Sequence, residues 1–425
     1  MKSDWPRITL GELCDQYSGE LQTGPFGSQL HAHDYVENGE VPVVPTSGIG
    51  RRRLISEGIP RISRSKADEL SRHYLRAGDI LFARRGIQAA GLSAIVEAEH
   101  EGWLCGTGAI RLRLSESSSV DPVFLSFSLA DEWVYQWIQR HAIGATMPNL
   151  NEGIVRGIPI WAPPLPEQRR IAAVLGALDD KIELNRKMNR TLEQMAQTLF
   201  KSWFIDFDGH SDLVDSELGP IPPGWAVRSL LDIVLLMSGG TPKTTVSEFW
   251  NGDVKWASAK DVSNADGRYL LDTERTITDA GLRSCSTKII PAGAVVVVAR
   301  GATCGRWCLL GEAMAMNQTC YALVAHSDAS ATYIKHLVPA LLGGLVQQAH
   351  GSIFDTITTR TFSTVKVAAP PDSVALKFRN TIECLETRII SNLRESRTLT
   401  DLRDTLLPKL ISGELRIPEA EALIP

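Results

Sequence analysis

Apolar positions along the chain follow two regimes that alternate. Across residues 166–204 they recur every three or four positions: Leu175, Leu178 and Ile182, then Leu192, Ala196, Leu199 and Trp203, with Asn185 and Asn189 on the two seam positions between. Pro166, Glu167 and Gln168 suit a helix start, and Gly176 alone interrupts the stretch. A second such stretch begins at the good caps Asp372 or Ser373 and stops at Gly413. It carries Ile382, Leu385 and Ile389, then Asn392 and Ser396, then Leu399, Leu406 and Leu410, with Arg403 breaking the seam. At 1.5 Å per residue, each predicts a helix roughly 55 to 60 Å long with a coiled-coil stripe and a polar centre. Antiparallel pairing about a pseudo-two-fold axis near position 187 sets Asn185 opposite Ser396 and Asn189 opposite Asn392. The alternative is that these residues face water or a partner helix.

The remaining chain shows short apolar runs between Gly and Pro. Those at 41–45, 80–83, 109–114, 295–299 and 321–325 predict strands, and 122–138 and 331–342 predict helices. The fold class is therefore α/β in the α+β sense. Two mixed α/β domains are separated by two long helices packed as an antiparallel coiled coil, with pseudo-two-fold symmetry. The expected boundaries are a first domain at 1–163, a central helical region at 164–208 and a Gly- and Pro-rich linker at 209–224. A second domain at 225–370, a C-terminal helical region at 371–415 and a tail at 416–425 complete the chain.

The chain is internally repeated. Ile158 to Pro164 align with Val365 to Pro371 at a shift of 207, and this register continues through Leu178 on Leu385, Ile182 on Ile389, Asn185 on Asn392 and Leu199 on Leu406. Upstream the shift drifts. Arg85-Gly86 falls on Arg300-Gly301 at 215, and Trp5 falls on Trp225 at 220. Each half thus joins a domain of variable length to a segment of fixed length.

Composition adjusts this picture little. The chain of 425 residues is 44% hydrophobic and 22% charged, as expected of globular domains. No early apolar stretch resembles a signal peptide and no run is long enough to cross a bilayer, which points to the cytoplasm and to no membrane partner. Seven scattered cysteines without a CxxC pair suggest neither a disulfide framework nor a zinc knuckle. A net charge of −5 counts against a nucleic-acid partner, although a basic groove can coexist with acidic faces elsewhere.

Four motifs, PLPEQRRIAAVL at 164–175, LFKSWFIDF at 199–207, SELGPIPPGW at 216–225 and LLPKLISGEL at 406–415, resemble the specificity subunits of type I restriction-modification enzymes. The resemblance extends over nearly the whole length. One departure is the start of the first domain, where Asp4-Trp5 stands in for the fuller Pro-Gly-Trp of the second and reads as a natural terminus. The resemblance implies two target-recognition domains held apart by conserved helices, each reading one half of a bipartite, asymmetric site in double-stranded DNA. It implies two modification subunits that bind S-adenosylmethionine and methylate adenine, and restriction subunits that use ATP and Mg. It implies neither cofactor nor metal nor catalytic site in this chain. The other classes to weigh are a scaffold that tethers methyltransferase subunits without reading sequence, and an autonomous methyltransferase or nuclease. No Asn or Asp precedes Pro-Pro and an aromatic at 162–165 or 221–224, so an adenine methyltransferase signature is absent there.

Candidate DNA contacts follow from the repeat. The loops bearing Thr23, Gly24, Phe26 and Ser28, and Thr241 with Lys243, are small and hydroxyl-rich, a chemistry suited to phosphates, or else plain tight turns. The second loop resembles a nucleotide-binding P-loop, but Pro242 stands where that motif needs Gly before Lys. Arg84 and Arg85 match Arg300 at strand ends, and the run at 51–53 adds three arginines; arginine suits phosphate or guanine. Asn317 and Gln318, aligned near Gly106 and Thr107, are candidates to read adenine or to cap a turn. Leu199, Phe200, Trp203 and Phe204, with Leu406, Leu407, Leu410 and Ile411, are apolar on more than one helix face. Half of them are expected in the coiled-coil core and the surplus at a modification-subunit interface. Asp179, Asp180 and Glu183 are expected to pair with Lys181, Arg186 and Lys187 along the helix.

Overall fold

A computed structural model describes residues 5–86, 89–115, 118–144, 148–265, 268–350 and 356–417; Asp4 and residues 418–425 of the expected tail lie outside them. The chain forms two compact units, Met1–Lys181 with Thr398–Pro425, and Ile182–Arg397. No helix among the described residues is long and apolar enough to cross a membrane.

The first unit holds a five-stranded sheet of β1 (Glu20–Thr23), β2 (Arg52–Arg53), β3 (Ile80–Ala83), β4 (Ser93–Ile95) and β5 (Ala109–Arg113), in the order β1-β5-β3-β4-β2. The second unit holds β6 (Val234–Ser238), β7 (Tyr269–Leu270), β8 (Val295–Val298), β9 (Trp307–Leu310) and β10 (Cys320–Ala325), in the order β6-β10-β8-β9-β7. The repeat in the sequence is therefore a repeat of topology. Each unit adds a three-stranded sheet and a two-stranded sheet; in the latter, Arg7–Thr9 pairs with Pro159–Trp161 and Ala226–Ser229 pairs with Lys366–Ala369. The following turn is nucleated alike in both. Thr9 forms a capping box with Glu12, and Ser229 forms one with Asp232.

β3 and β8 are buried along their whole length, which is why they read as unbroken apolar runs rather than as alternation. In the first unit, Ile80 and Phe82 pack with Leu10, Leu112 and Ile138, while Leu81 and Ala83 fill a separate core on the opposite face. The expected helix at 122–138 is two helices, Pro122–Ala130 and Glu132–His141. Asp131 divides them because its carboxylate accepts from the Trp133 N–H at 2.9 Å and so caps the second. The expected helix at 331–342 is part of Asp328–His350.

The two long helices are Leu165–Phe204 and Asp372–Ser412, and the second ends where Gly413 adopts a positive φ of 74°. Buried Gln168 ties the start of the first to its domain, donating to the Pro163 and Ser119 carbonyls and accepting from the Asp121 N–H. In the second unit the helices run antiparallel in the expected register. Asn392 Nδ2 donates to Asn189 Oδ1 at 2.8 Å, and Asn185 Nδ2 donates to Ser396 Oγ at 3.3 Å and to Glu395 Oε2 at 2.9 Å. Asn185 and Asn392 are fully buried, which corrects the solvated alternative. In the first unit, Ile171, Leu175 and Leu178 meet Leu406, Leu410 and Ile411 in one core.

Candidate nucleic-acid interface

Strand order and register bring three loops together at one edge of each five-stranded sheet. In the first unit Thr23 pairs with Ile110 and Ala83 with Ala109, so β1 and β3 end where β5 begins. In the second, Ser238 pairs with Tyr321 and Val298 with Cys320, so β6 and β8 end where β10 begins. The loops after β1, before β5 and after β3 form one rim; those after β6, before β10 and after β8 form its counterpart.

Matching backbone bonds hold both rims. The Arg84 N–H donates to the Gly108 carbonyl and the Ala299 N–H to the Thr319 carbonyl, each at 2.8 Å. A Cβ on Gly24 would stand 1.9 Å from the Gly106 oxygen, and one on Gly239 would stand 2.1 Å from the Asn317 oxygen. Glycine is required at both places by close backbone approach. Arg85 and Arg300 close each rim, bridging to Asn149 and Thr356 respectively.

The sequence-nominated DNA residues other than the arginine run at 51–53 lie on these rims. Thr23 ends β1 and Gly24 follows it, while Phe26 and Ser28 are exposed beyond them, the Phe26 N–H held by Gln29 Oε1 at 3.0 Å. Arg84 is half-buried and donates from Nε to the Leu150 carbonyl at 3.2 Å, whereas Arg85 and Arg300 are exposed. Lys243 is exposed, and the Thr241 hydroxyl donates to Gln318 Oε1. Asn317 Oδ1 accepts from the Thr319 N–H at 3.2 Å and hydroxyl at 2.8 Å, so it serves the turn. Sequence reasoning passed over Thr107 and Asn149. Thr107 stands where Gln318 stands in the other rim, as the repeat alignment placed it without nominating it, and Asn149 reaches its rim from a distant segment.

Neighbouring side chains revise the remaining expectations. The arginine run is engaged by acids: Arg51 stays exposed, whereas Arg52 is buried and donates from Nε to Asp179 Oδ2 at 2.8 Å, with Nη2 on the same oxygen. Arg53 donates to Asp179 at 2.8 Å, Glu97 at 2.6 Å and Asp180 at 2.5 Å, and Arg51 donates to the Ala130 carbonyl and Glu132. Asp179 and Asp180 therefore pair with β2 rather than along their own helix, and Arg403, the break in the seam, reaches Asp179 at 2.7 Å. Burial opposes ionisation of Asp179, but the charges and hydrogen bonds of Arg52 and Arg53 outweigh it and hold the carboxyl well below its usual range.

The helix-end residues are likewise core. Phe200 and Phe204 are buried with Trp225, Tyr333 and Phe378, and Leu199 and Trp203 pack partly buried against the same cluster. Leu406, Leu407, Leu410 and Ile411 are buried with Trp5, Phe124 and Phe127. Six of the eight nominated side chains are thus buried within their own unit, while Leu199 and Trp203 keep partial exposure. Each recognition domain spends them on anchoring itself to a helix, with aromatic pairs such as Phe204 and Tyr333 at 4.9 Å.

Among the described residues, Glu97, Glu99 and His100 bring ligand atoms within 4.8 Å of one another. Glu97 is engaged by Arg53, and His100 Nε2 lies 3.0 Å from the Ser56 hydroxyl, so the trio is already structural.

Two copies of one mixed sheet, each presenting a three-loop rim and each anchored on long helices, define a duplicated recognition protein. The chain belongs to the family of the type I restriction modification DNA specificity domain, whose model matches residues 2–194 and 222–377. It is similar to the type I restriction enzyme HindI specificity subunit of Haemophilus influenzae, 25% identical over 480 residues and covering 97% of this chain and all of that protein. The MjaIX specificity subunit of Methanocaldococcus jannaschii is 27% identical over 312 residues, covering 70% of this chain and 69% of that one. The crystal structure of a type I restriction-modification S subunit from M. genitalium shares the fold with a TM-score of 0.61 at 14% identity, covering 96% of each chain.

Proposed function

We propose that this chain selects the DNA target of a type I restriction-modification complex and leaves the chemistry to its partners. Each recognition domain reads one half of a bipartite, asymmetric site in double-stranded DNA. Two modification subunits, carrying S-adenosylmethionine, and restriction subunits, using ATP and Mg, dock on the protein in the cytoplasm. The chain itself holds no cofactor and has no catalytic role.

The observation that supports this reading is the pair of rims: equivalent in backbone, each with an exposed arginine at the same place, yet different in the side chains around it. Exposed arginine suits duplex phosphates, and unlike neighbours suit unlike half-sites. The domain boundaries at 163–164, 208–209, 224–225 and 370–371 belong to the same reading. So does the idea that the helical segments set the gap between half-sites.

The test is to map methylated adenines in a genome carrying this protein with its partner subunits. A two-part asymmetric motif with a fixed gap is expected. Methylation without a motif favours a tethering scaffold, and S-adenosylmethionine bound by the purified chain favours an autonomous enzyme.

A further inference from the structure

The two rims are built alike and furnished differently. Arg85 and Arg300 occupy one position twice, flanked by the same backbone bonds and both exposed. A side chain present in both modules at one place does not by itself separate two half-sites of different sequence. A side chain that differs between them does. The residue just before the carbonyl that each rim arginine's strand recruits is Thr107 in the first module and Gln318 in the second.

Gln318 is exposed, and its carboxamide has one partner among the described residues. Thr241, from the loop after β6, donates its hydroxyl to Gln318 Oε1, which orients the amide with its Nε2 donors outward. Both Nε2–H donors and the second lone pair of Oε1 are engaged by no described residue. A glutamine so held presents a donor beside an acceptor, the complement of N7 and the N6 amino group of adenine in the major groove. Thr107 offers one short hydroxyl at the matching place and lacks this bidentate capacity. Its module has Phe26, 57% exposed, on the loop that corresponds to that of Thr241.

We propose that Gln318 reads an adenine in the half-site of the second module, that Thr241 is the positioning residue for its carboxamide, and that Arg85 and Arg300 hold phosphates. The inference rests on the functional reading above and names which contacts carry sequence information. Arg fixes register on the duplex, and the glutamine supplies discrimination.

The experiment uses the full-length chain with its modification subunits and a library of randomised duplexes selected for binding at one salt concentration. Wild type is expected to enrich a bipartite motif; if it enriches none, the functional reading itself falls, and this inference with it. Given a motif, Gln318→Ala is expected to lose preference for adenine at one position of one half-site, by roughly 5- to 150-fold, with the other half-site and the gap unchanged. Gln318→Thr, the residue of the first rim, is expected to do the same. Thr241→Val should blunt preference at that same position and Thr241→Ser should restore it, a difference that a purely structural role would not give. Arg300→Ala should weaken binding to all duplexes alike and flatten the salt dependence, leaving the motif intact. An unchanged motif in both Gln318 variants, or an altered base preference in Arg300→Ala, overturns the assignment.

Discussion

Asp179 and Glu386 stand one repeat length of 207 positions apart, and each is the buried acid through which a recognition domain is fastened to a long helix. Asp179 takes Arg52 and Arg53 from β2, while Glu386 takes Lys335 Nζ at 2.8 Å, with His336 Nε2 at 3.5 Å, from the helix Asp328–His350. An acid stands at the same repeat position in both halves, and its partners come from different elements. In both, opposing cations or hydrogen bonds hold the carboxyl below its usual range against the penalty of burial.

Replacing Asp179 by Asn leaves Arg52 buried beside a neutral group, and breaking a buried ion pair from one side costs about 3–5 kcal/mol. The expected outcome is a urea midpoint lowered to match, read by fluorescence of the full chain. A midpoint within error of wild type would show that the cluster contributes nothing net.

Acid should weaken the first unit in two stages. His73 is buried beside Arg72 and Arg111, and burial foremost, then those charges, lower its pKa to about 4 from an unfolded value near 6.5. Its depressed pKa means that the contribution is present above pH 6.5 and is lost as pH falls toward 4, by up to about 3 kcal/mol. Asp179, also depressed, loses its contribution only below the ordinary carboxylate range. Urea midpoints at pH 7.5, 5.5 and 4.5 should fall progressively in wild type and less steeply in His73→Gln. Equal slopes would remove His73 from the account.

The polar centre of the helix pair should fix register more than it adds stability. Asn185→Leu together with Asn392→Leu removes the bonds to Ser396, Glu395 and Asn189. An altered assembly state or register is expected, checked by light scattering and by cross-linking engineered cysteines across the pair. Variants that keep both would assign the asparagines a passive role.

The two rims should fail independently. Gly24→Ala drives a Cβ into the Gly106 carbonyl and Gly239→Ala drives one into that of Asn317. The first substitution should erase sequence preference in one half-site only and the second in the other, read by selection from the duplex library. Loss of both halves from either change would contradict separate modules.

Removing one helical turn from a long helix should change the tolerated gap between half-sites and leave both half-site sequences as they were. Methylation mapping of the variant gives the answer. A changed half-site with a constant gap would detach spacing from helix length.

What the sequence determined by itself is what depends on local pattern. The 3,4 spacing and its paired polar positions, the constant shift of 207 and the apolar runs of β3 and β8 specify helices, register and duplication, because each rests on residues near in the chain or on simple periodicity. Thus the pairing of Asn189 with Asn392 is legible in the repeat alone. Tertiary structure alone decided what each exposed-looking group meets. Arg51, Arg52 and Arg53 read as a basic patch until Asp179, Glu97 and Glu132 arrive from other elements to neutralise them, and Phe200, Phe204 and Leu410 read as surplus apolar surface until a recognition domain covers the second helix face. The rims themselves, with Thr241 on Gln318, exist only because antiparallel pairing brings the ends of β6, β8 and the start of β10 together. A contact between positions 77 residues apart leaves no periodic trace in a single chain, since its energy depends on geometry that the intervening strands supply.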